Sequence, residues 1–374
     1  MTQSICLNMI VKNEGHIIEK TLENLCSYID FNYWVICDTG SEDKTIEIIE
    51  NFFKKKNING EIHRHVWEDF ASNRTKAIEL AYNKSDYVLI FDADDSIVGN
   101  FKLPEKLEKK MYHLFFDGGV KYKRPLLLYN RIEWKWKGVV HEFIITKDDK
   151  EVDQGLIDGD YHLISGREGN RNKNPKKYLS DALLLEKGFY KEIDGGDYGL
   201  ATRYAFYIAQ SYSHSNIEEE KEKSIYWYKK VVELKGWKQE KYLACFHLGI
   251  YYMDKNDYEK TVEFLSKAAE FDPERLESIV KLVEFFFKKD NHTMVNVLYQ
   301  KFKFIKKPND KLFLVNFYYN NVLEYYNSIS GYYVEDKISS YICCKKIIEE
   351  YFKKPLEKIF VIKTVENLLN FKDF

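Results

Sequence analysis

The chain predicts two folds in series: an α/β part on a mostly parallel, Rossmann-like sheet with an antiparallel extension, then an all-α part of tetratricopeptide-like helices. Three observations predict it. Up to Phe91, short apolar runs alternate with segments of helical spacing, which is the pattern of βαβ units. From Tyr122 to His162, runs such as Leu126-Leu127-Leu128-Tyr129 and Glu142-Phe143-Ile144-Ile145 alternate with glycine and polar residues, as in antiparallel strands. Beyond Lys177 the periodicity is helical almost throughout. At 374 residues the chain exceeds the usual size of one hydrophobic core, and the expected domains are 1–190 and 191–374.

The elements follow in order. Ile5–Val11 is the first strand, and residues 16–28 carry Ile17, Ile18, Leu22, Leu25 and Cys26 on one helical face. Residues 33–37 form a second strand ending at Asp38-Thr39-Gly40-Ser41. A helix over 43–56, a strand over 61–66 and a helix over 70–82 come next. Then Tyr87-Val88-Leu89-Ile90-Phe91 runs straight into Asp92-Ala93-Asp94-Asp95. A continuous apolar run of this kind reads as a buried strand, central in a sheet covered on both faces. The acids at its end then stand at the rim where open α/β sheets bind ligands. Residues 165–175 are polar, basic and glycine-containing, and read as a mobile loop. In the helical part, residues 242–273 fit a tetratricopeptide unit, with Leu248, Gly249, Tyr252, Ala268 and Pro273 in register and Cys245, Thr261 and Leu265 departing from it. A degenerate unit at 203–234 precedes it, and 276–374 is helical without a repeat register. Such helix pairs bury their faces only by stacking on neighbours.

Composition removes several classes. The net charge is -2 and no long basic stripe appears, which argues against nucleic acid as a partner. Residues 1–13 read as a strand and not as a signal peptide, and no run approaches the ~18 apolar residues of a transmembrane segment. Six cysteines without zinc or redox spacing are expected to be reduced thiols, consistent with a cytoplasmic location.

Four segments carry chemistry. Val11-Lys12-Asn13-Glu14 ends the first strand and Cys37-Asp38-Thr39-Gly40-Ser41 the second. Phe70-Ala71-Ser72-Asn73-Arg74 opens the helix before the acidic strand, and Asp92-Ala93-Asp94-Asp95 ends that strand. Three are strand C-termini, so they converge on one rim. Carboxylates this crowded repel one another unless a cation or hydrogen-bond donors offset them. Hard oxygen ligands suit Mg²⁺ or Mn²⁺, and Mg²⁺ takes one or two carboxylates plus substrate phosphate oxygens. The plainer reading is an acidic turn, since Asp favours turns and helix N-caps.

The ordered series resembles the GT-A nucleotide-sugar domain of the family 2 glycosyltransferases. Further matches are Trp134-Lys135-Trp136-Lys137-Gly138-Val139-Val140-His141-Glu142, His162, Lys176-Lys177-Tyr178-Leu179 and the helical segments around 203–212 and 271–277. Over about residues 1–290 the chain is similar to a subgroup with tetratricopeptide-like helices behind the transferase domain. The resemblance implies a metal-dependent inverting glycosyltransferase using Mn²⁺ or Mg²⁺ and a nucleotide-sugar donor, with a UDP-sugar expected. The acceptor is a glycan, a protein or another molecule, and the helical part is a candidate for homodimerisation.

Carried over by residue, Val11 to Glu14 would border the nucleoside, with Glu14 near the ribose, and Asp38 would accept a hydrogen bond from the base. Arg74 would lie near the diphosphate or hold the acidic strand end. Asp92 and Ala93 would be on the donor side, Asp94 would ligate the metal, and His162 would complete the metal site. Arg167, Arg171 and Lys173 would add positive charge from a loop that closes over the donor and excludes water. Glu142 is the candidate general base, with His141 orienting it or touching the acceptor. The family base more often lies in an Asp-containing motif, and Asp95 is a further candidate. Two rivals remain. One is a non-catalytic nucleotide-sugar-binding and tetratricopeptide interaction protein. The other is a nucleotidyltransferase, which would show a glycine-rich phosphate loop that Val11-Lys12-Asn13-Glu14 lacks.

Overall fold

The structure, a computed structural model, describes residues 3–117, 121–215, 217–309, 311–353 and 358–371. The chain divides into two compact units, residues 1–188 and 189–374.

In the first unit β1 (Ile5–Val11), β2 (Tyr33–Asp38), β3 (Gly60–Arg64) and β4 (Tyr87–Ile90) alternate with α1 (Ile18–Tyr28), α2 (Thr45–Lys56) and α3 (Phe70–Ala81). They are followed by β5 (Ser96–Gly99), β6 (Met111–Asp117), β7 (Lys121–Tyr129), β8 (Trp134–Lys137), β9 (Phe143–Thr146), β10 (Gln154–Leu156) and β11 (Tyr161–Ile164). The main sheet runs β3-β2-β1-β4-β7-β6-β11-β5, with β10 on β6, while β8 and β9 form a separate hairpin. The four strands from β3 to β4 are parallel. The extension is mixed: β7 is antiparallel to β4 and β6, whereas β10 and β11 run parallel to β6. It also begins earlier than the sequence pattern implied, because β5 and β6 precede residue 122.

Side chains alternate along β1 between two cores, one on each face of the sheet. Leu7 and Met9 join Leu22, Phe53 and Leu89 on one face. Cys6 joins Val35, Val88, Trp134 and Trp136 on the other. Asn8, buried in β1, donates through Nδ2 to the carbonyls of Val35 and Ala77, tying two strands to α3. Val11 stands opposite Asp38 and Asn8 opposite Ile90, so the ends of β1, β2 and β4 share one rim.

α4 (Lys177–Gly195) contains the division between the units. The described part of the second unit is helical: α5 (Tyr198–Ser213), α6 (Glu218–Glu233), α7 (Lys238–Asp254), α8 (Tyr258–Phe271), α9 (Glu277–Phe287), α10 (His292–Phe302), α11 (Val322–Tyr333), α12 (Lys337–Lys353) and α13 (Lys358–Leu368). Asp197, Asp257 and Asn291 cap α5, α8 and α10, their side chains accepting from the N–H groups of Leu200, Lys260 and Met294, which have no partner within the helix. α7 and α8 approach closely at Gly249, where an added Cβ would lie 2.5 Å from Leu265. Among the described residues no helix is long and apolar enough to cross a membrane. All six cysteines are unpaired, and burial pushes the Cys6, Cys37 and Cys245 thiols up to about 12, so they are unreactive.

Candidate active site

The rim is organised around one arginine. Asp69 caps α3 by accepting from the Ser72 N–H at 2.7 Å, which sets the helix start and puts Arg74 in its first turns. Arg74 is buried, with its guanidinium 5.3 Å from the centroid of the Trp136 ring. Its Nη2 donates to Asp92 Oδ1 at 2.5 Å and its Nε to Glu142 Oε1 at 2.8 Å. A second cation reaches Asp92 from β7, where Arg124 Nη1 lies 3.5 Å from Oδ2. Burial opposes ionisation of Asp92, but Arg74 and Arg124 hold its carboxyl down at about 2.

Arg124 had no place in the sequence-based site. The signal was present in the strand register: Leu89 pairs with Leu127, and continuing that antiparallel ladder three residues sets Arg124 opposite Asp92. Reading it requires knowing that β7 is the neighbour of β4.

The other acids are held by backbone. Gly166 N–H donates to Asp95 Oδ1 at 3.0 Å and Gly169 N–H to Asp94 Oδ2 at 3.0 Å. Asn170 N–H reaches both oxygens of Glu14, at 3.2 and 3.3 Å. Residues 165–175, expected to be a mobile loop, thus lie docked over the acidic rim, because its carboxylates attract the loop's amides. The His16 ring is 2.8 Å from the Glu168 carbonyl and 3.2 Å from Lys173 Nζ, which fastens the loop to the segment after β1. A side chain at 166 has no room, since its Cβ would stand 1.8 Å from the Asp94 carbonyl oxygen. Burial raises the carboxyl pKa of Asp94 and Glu14, with the loop amides acting against it. Asp95 is more buried, and burial with the nearby Asp92 pushes it up to about 7.

The remaining expected residues fall as follows. Asp38 is buried and accepts from the N–H groups of Gly40 and Ser41, closing its own turn. Val11 accepts through its carbonyl from Thr39 N–H, and the buried Ala93 from Thr21 Oγ1. Glu142 and His141 occupy the β8–β9 turn, where His141 adopts φ 56°, a left-handed conformation uncommon outside glycine. Arg171 pairs with Asp181 and lies over the Phe70 ring, while Arg167 is exposed.

His162 is not brought to Asp94. On β11 it pairs with Val98, and Ile164 pairs with Ser96. Continued, that register sets Gly166 opposite Asp94, leaving His162 four residues, ~13 Å, along the strand. Among the described residues no group of three or more His, Cys, Asp or Glu side chains converges to hold a metal. Asp92 is committed to two arginines and Asp95 is buried beneath the loop, so Asp94, less buried, is the acid that fits a hard cation. One carboxylate suffices where water and substrate phosphate oxygens complete the coordination.

Residues 6–159 match the family described as Glycosyl transferase family 2. The first unit carries a family 2 glycosyltransferase domain. Its sheet, with parallel strands leading to an acidic rim, is the GT-A arrangement. Solved structures similar to this chain include Staphylococcus aureus TarS residues 1–349 with UDP-GlcNAc, at 14% identity, 71% coverage of this chain, 91% of that chain and TM-score 0.39. Another is the mannosyltransferase PcManGT from Pyrobaculum calidifontis with GDP-Man and Mn²⁺, at 18% identity and TM-score 0.23. That match covers 26% of this chain and 29% of the mannosyltransferase. No curated protein matches the chain. The assignment rests on the family match.

Proposed function

We propose that the protein is an inverting glycosyltransferase that moves a sugar from a nucleotide-sugar donor, a UDP-sugar by our reading, to an acceptor hydroxyl with the help of a divalent cation. The observation that supports it most is the division of labour among the rim acids. Arg74 and Arg124 neutralise Asp92, while Asp94 beside it forms no ion pair among the described residues and accepts from the Gly169 N–H of the loop. Asp94 would hold Mn²⁺ or Mg²⁺, and the bound ion would supply charge stabilisation for the departing diphosphate. The chain's own residues do the rest. Asp38, Val11 and Glu14 line the rim where the nucleoside is proposed to sit, with Ala93 behind the acids. Arg74 fixes the orientation of both Asp92 and Glu142.

Glu142 is proposed as the general base. Arg74, itself buried, holds one Glu142 oxygen at 2.8 Å and so fixes the direction of the carboxylate, the geometric requirement on a base. His141, beside it in the turn, is proposed to face the acceptor. Arg167, exposed on the loop, is proposed to meet the diphosphate when donor displaces the amides from the acids.

The test is thermal stabilisation of the full chain by UDP, UDP-glucose, UDP-galactose and GDP-mannose, each with Mn²⁺, Mg²⁺ or EDTA. At least one nucleotide should raise the midpoint, and Asp94→Ala should abolish the metal-dependent part. The reading fails if no nucleotide stabilises the fold in any metal. Glu142→Gln should lose turnover while keeping donor stabilisation; loss of donor stabilisation instead removes Glu142 as base.

A further inference from the structure

The second unit contains a cavity of about 370 Å³, within the range of small-ligand sites. Its lining includes Lys303, Lys306, Lys307 and Lys346 against two acids, Glu324 and Glu350. Both acids already have partners: Glu324 pairs with Lys346, and Glu350 accepts from Asn321 Nδ2 at 2.5 Å. Lys306 and Lys307 are exposed, and among the described residues neither forms an ion pair. Positive charge is therefore in excess at the cavity while its negative charge is internally satisfied.

Aromatic rings share the lining. Tyr319 is fixed, because its hydroxyl donates to Glu277 Oε2 at 2.9 Å and accepts from Leu276 N–H at 3.2 Å. Phe304 is 81% exposed, with Lys303 Nζ 5.2 Å from its ring centroid. An exposed phenylalanine between lysines, at the edge of a concave site, offers a flat apolar face beside cationic donors. A saccharide presents the complement, C–H faces for the ring and, when acidic, anions for the lysines. Concavity disfavours a flat lipid surface, and the chain's net charge of -2 disfavours nucleic acid.

We propose that this cavity binds an anionic saccharide, a sugar chain carrying carboxylate or phosphate groups. The choice of a saccharide over other anions rests on the glycosyl-transfer reading; the anion site itself does not.

The test is isothermal titration of the full chain, at low salt, with tri-galacturonate, glucose 6-phosphate and uncharged maltotriose. Tri-galacturonate or glucose 6-phosphate should bind, with the tighter of the two identifying the anion, and added salt should weaken it. The double variant Lys306→Ala/Lys307→Ala should lose roughly tenfold in affinity, as expected for two charge-assisted contacts. Phe304→Ala should weaken binding as well, and all variants should keep the wild-type thermal midpoint and the UDP-dependent shift. Failure to bind either acidic sugar overturns the proposal. So does equal affinity in the double variant, maltotriose binding as tightly as the acidic sugars, or tighter binding to phosphatidylglycerol vesicles than to either. If the sugars bind as expected while no nucleotide shifts the midpoint, the cavity assignment stands and the transferase reading falls.

Discussion

Two arginines, one in each unit, show how differently the same chemistry is used. In the second unit Arg275 is 1% exposed and forms a two-pronged pair with Glu277, Nη2 to Oε1 at 2.7 Å and Nε to Oε2 at 3.3 Å. Its Nη1 also donates to Gln239 Oε1 and the Leu312 carbonyl, and the guanidinium lies 4.2 Å from the Tyr242 centroid. The Tyr242 and Tyr319 hydroxyls both donate to Glu277 Oε2. One cation, one anion and neutral donors balance. In the first unit Arg74 also joins two partners, but Asp94, Asp95 and Glu14 crowd the same rim and are held by loop amides. A buried network in which charge balances is architecture. One with acid to spare, next to a strand end, is where we propose a cation binds.

The sharpest way to break that comparison is to neutralise one acid in each unit. Glu277→Gln leaves Arg275 buried without its counter-ion, and the loss of such a partner costs about 3–5 kcal/mol. Asp94→Asn keeps an oxygen for the Gly169 N–H and removes a charge that repels Asp92, so it should change stability by less than about 1 kcal/mol or raise it. Urea unfolding of the full chain, with hydrogen exchange assigning each loss to its unit, measures both. Equal losses would erase the distinction between balanced and surplus charge.

How much of this was readable beforehand differs by residue. β1 reads cleanly because its apolar residues, interrupted only by Asn8, are bounded by polar ones. The acids at the end of β4 were legible for the same reason, since a buried strand must deliver its next residues to a rim. β5 spans only four residues, too few for a period to declare itself, and β6 is an apolar run whose partners lie elsewhere in the chain. Arg124 and His162 were decided by register, which depends on which strands are neighbours and is not written in either residue. The docked loop was harder still. Its contacts are made by backbone N–H groups, which every residue but proline carries, and only Gly166 and Gly169 hint that something comes too close for a side chain.

That hint gives a smaller test, one glycine in each unit. At Gly166 an added Cβ meets the Asp94 backbone at 1.8 Å, and backbone does not rotate away. Gly166→Ala should therefore lift the loop from the rim. The acids regain water as they lose amides, so the net cost should be about 1–3 kcal/mol. Exchange at the amides of 166, 169 and 170 should accelerate while the β1 and β4 amides stay protected. At Gly249 the obstacle is the buried Leu265, its Cγ and Cδ2 at 2.5 Å and its backbone nitrogen at 3.2 Å; the side chain must shift, while alanine there gains about 1 kcal/mol of helix propensity against glycine. Overpacking of a buried leucine opposes that gain by a similar amount, so Gly249→Ala should shift the unfolding midpoint of the second unit only slightly. If Gly249→Ala proved the more costly of the two, or if the loop amides kept their protection in Gly166→Ala, the loop would not be held by the acids, and the rim would lose its claim to differ from the balanced network around Arg275.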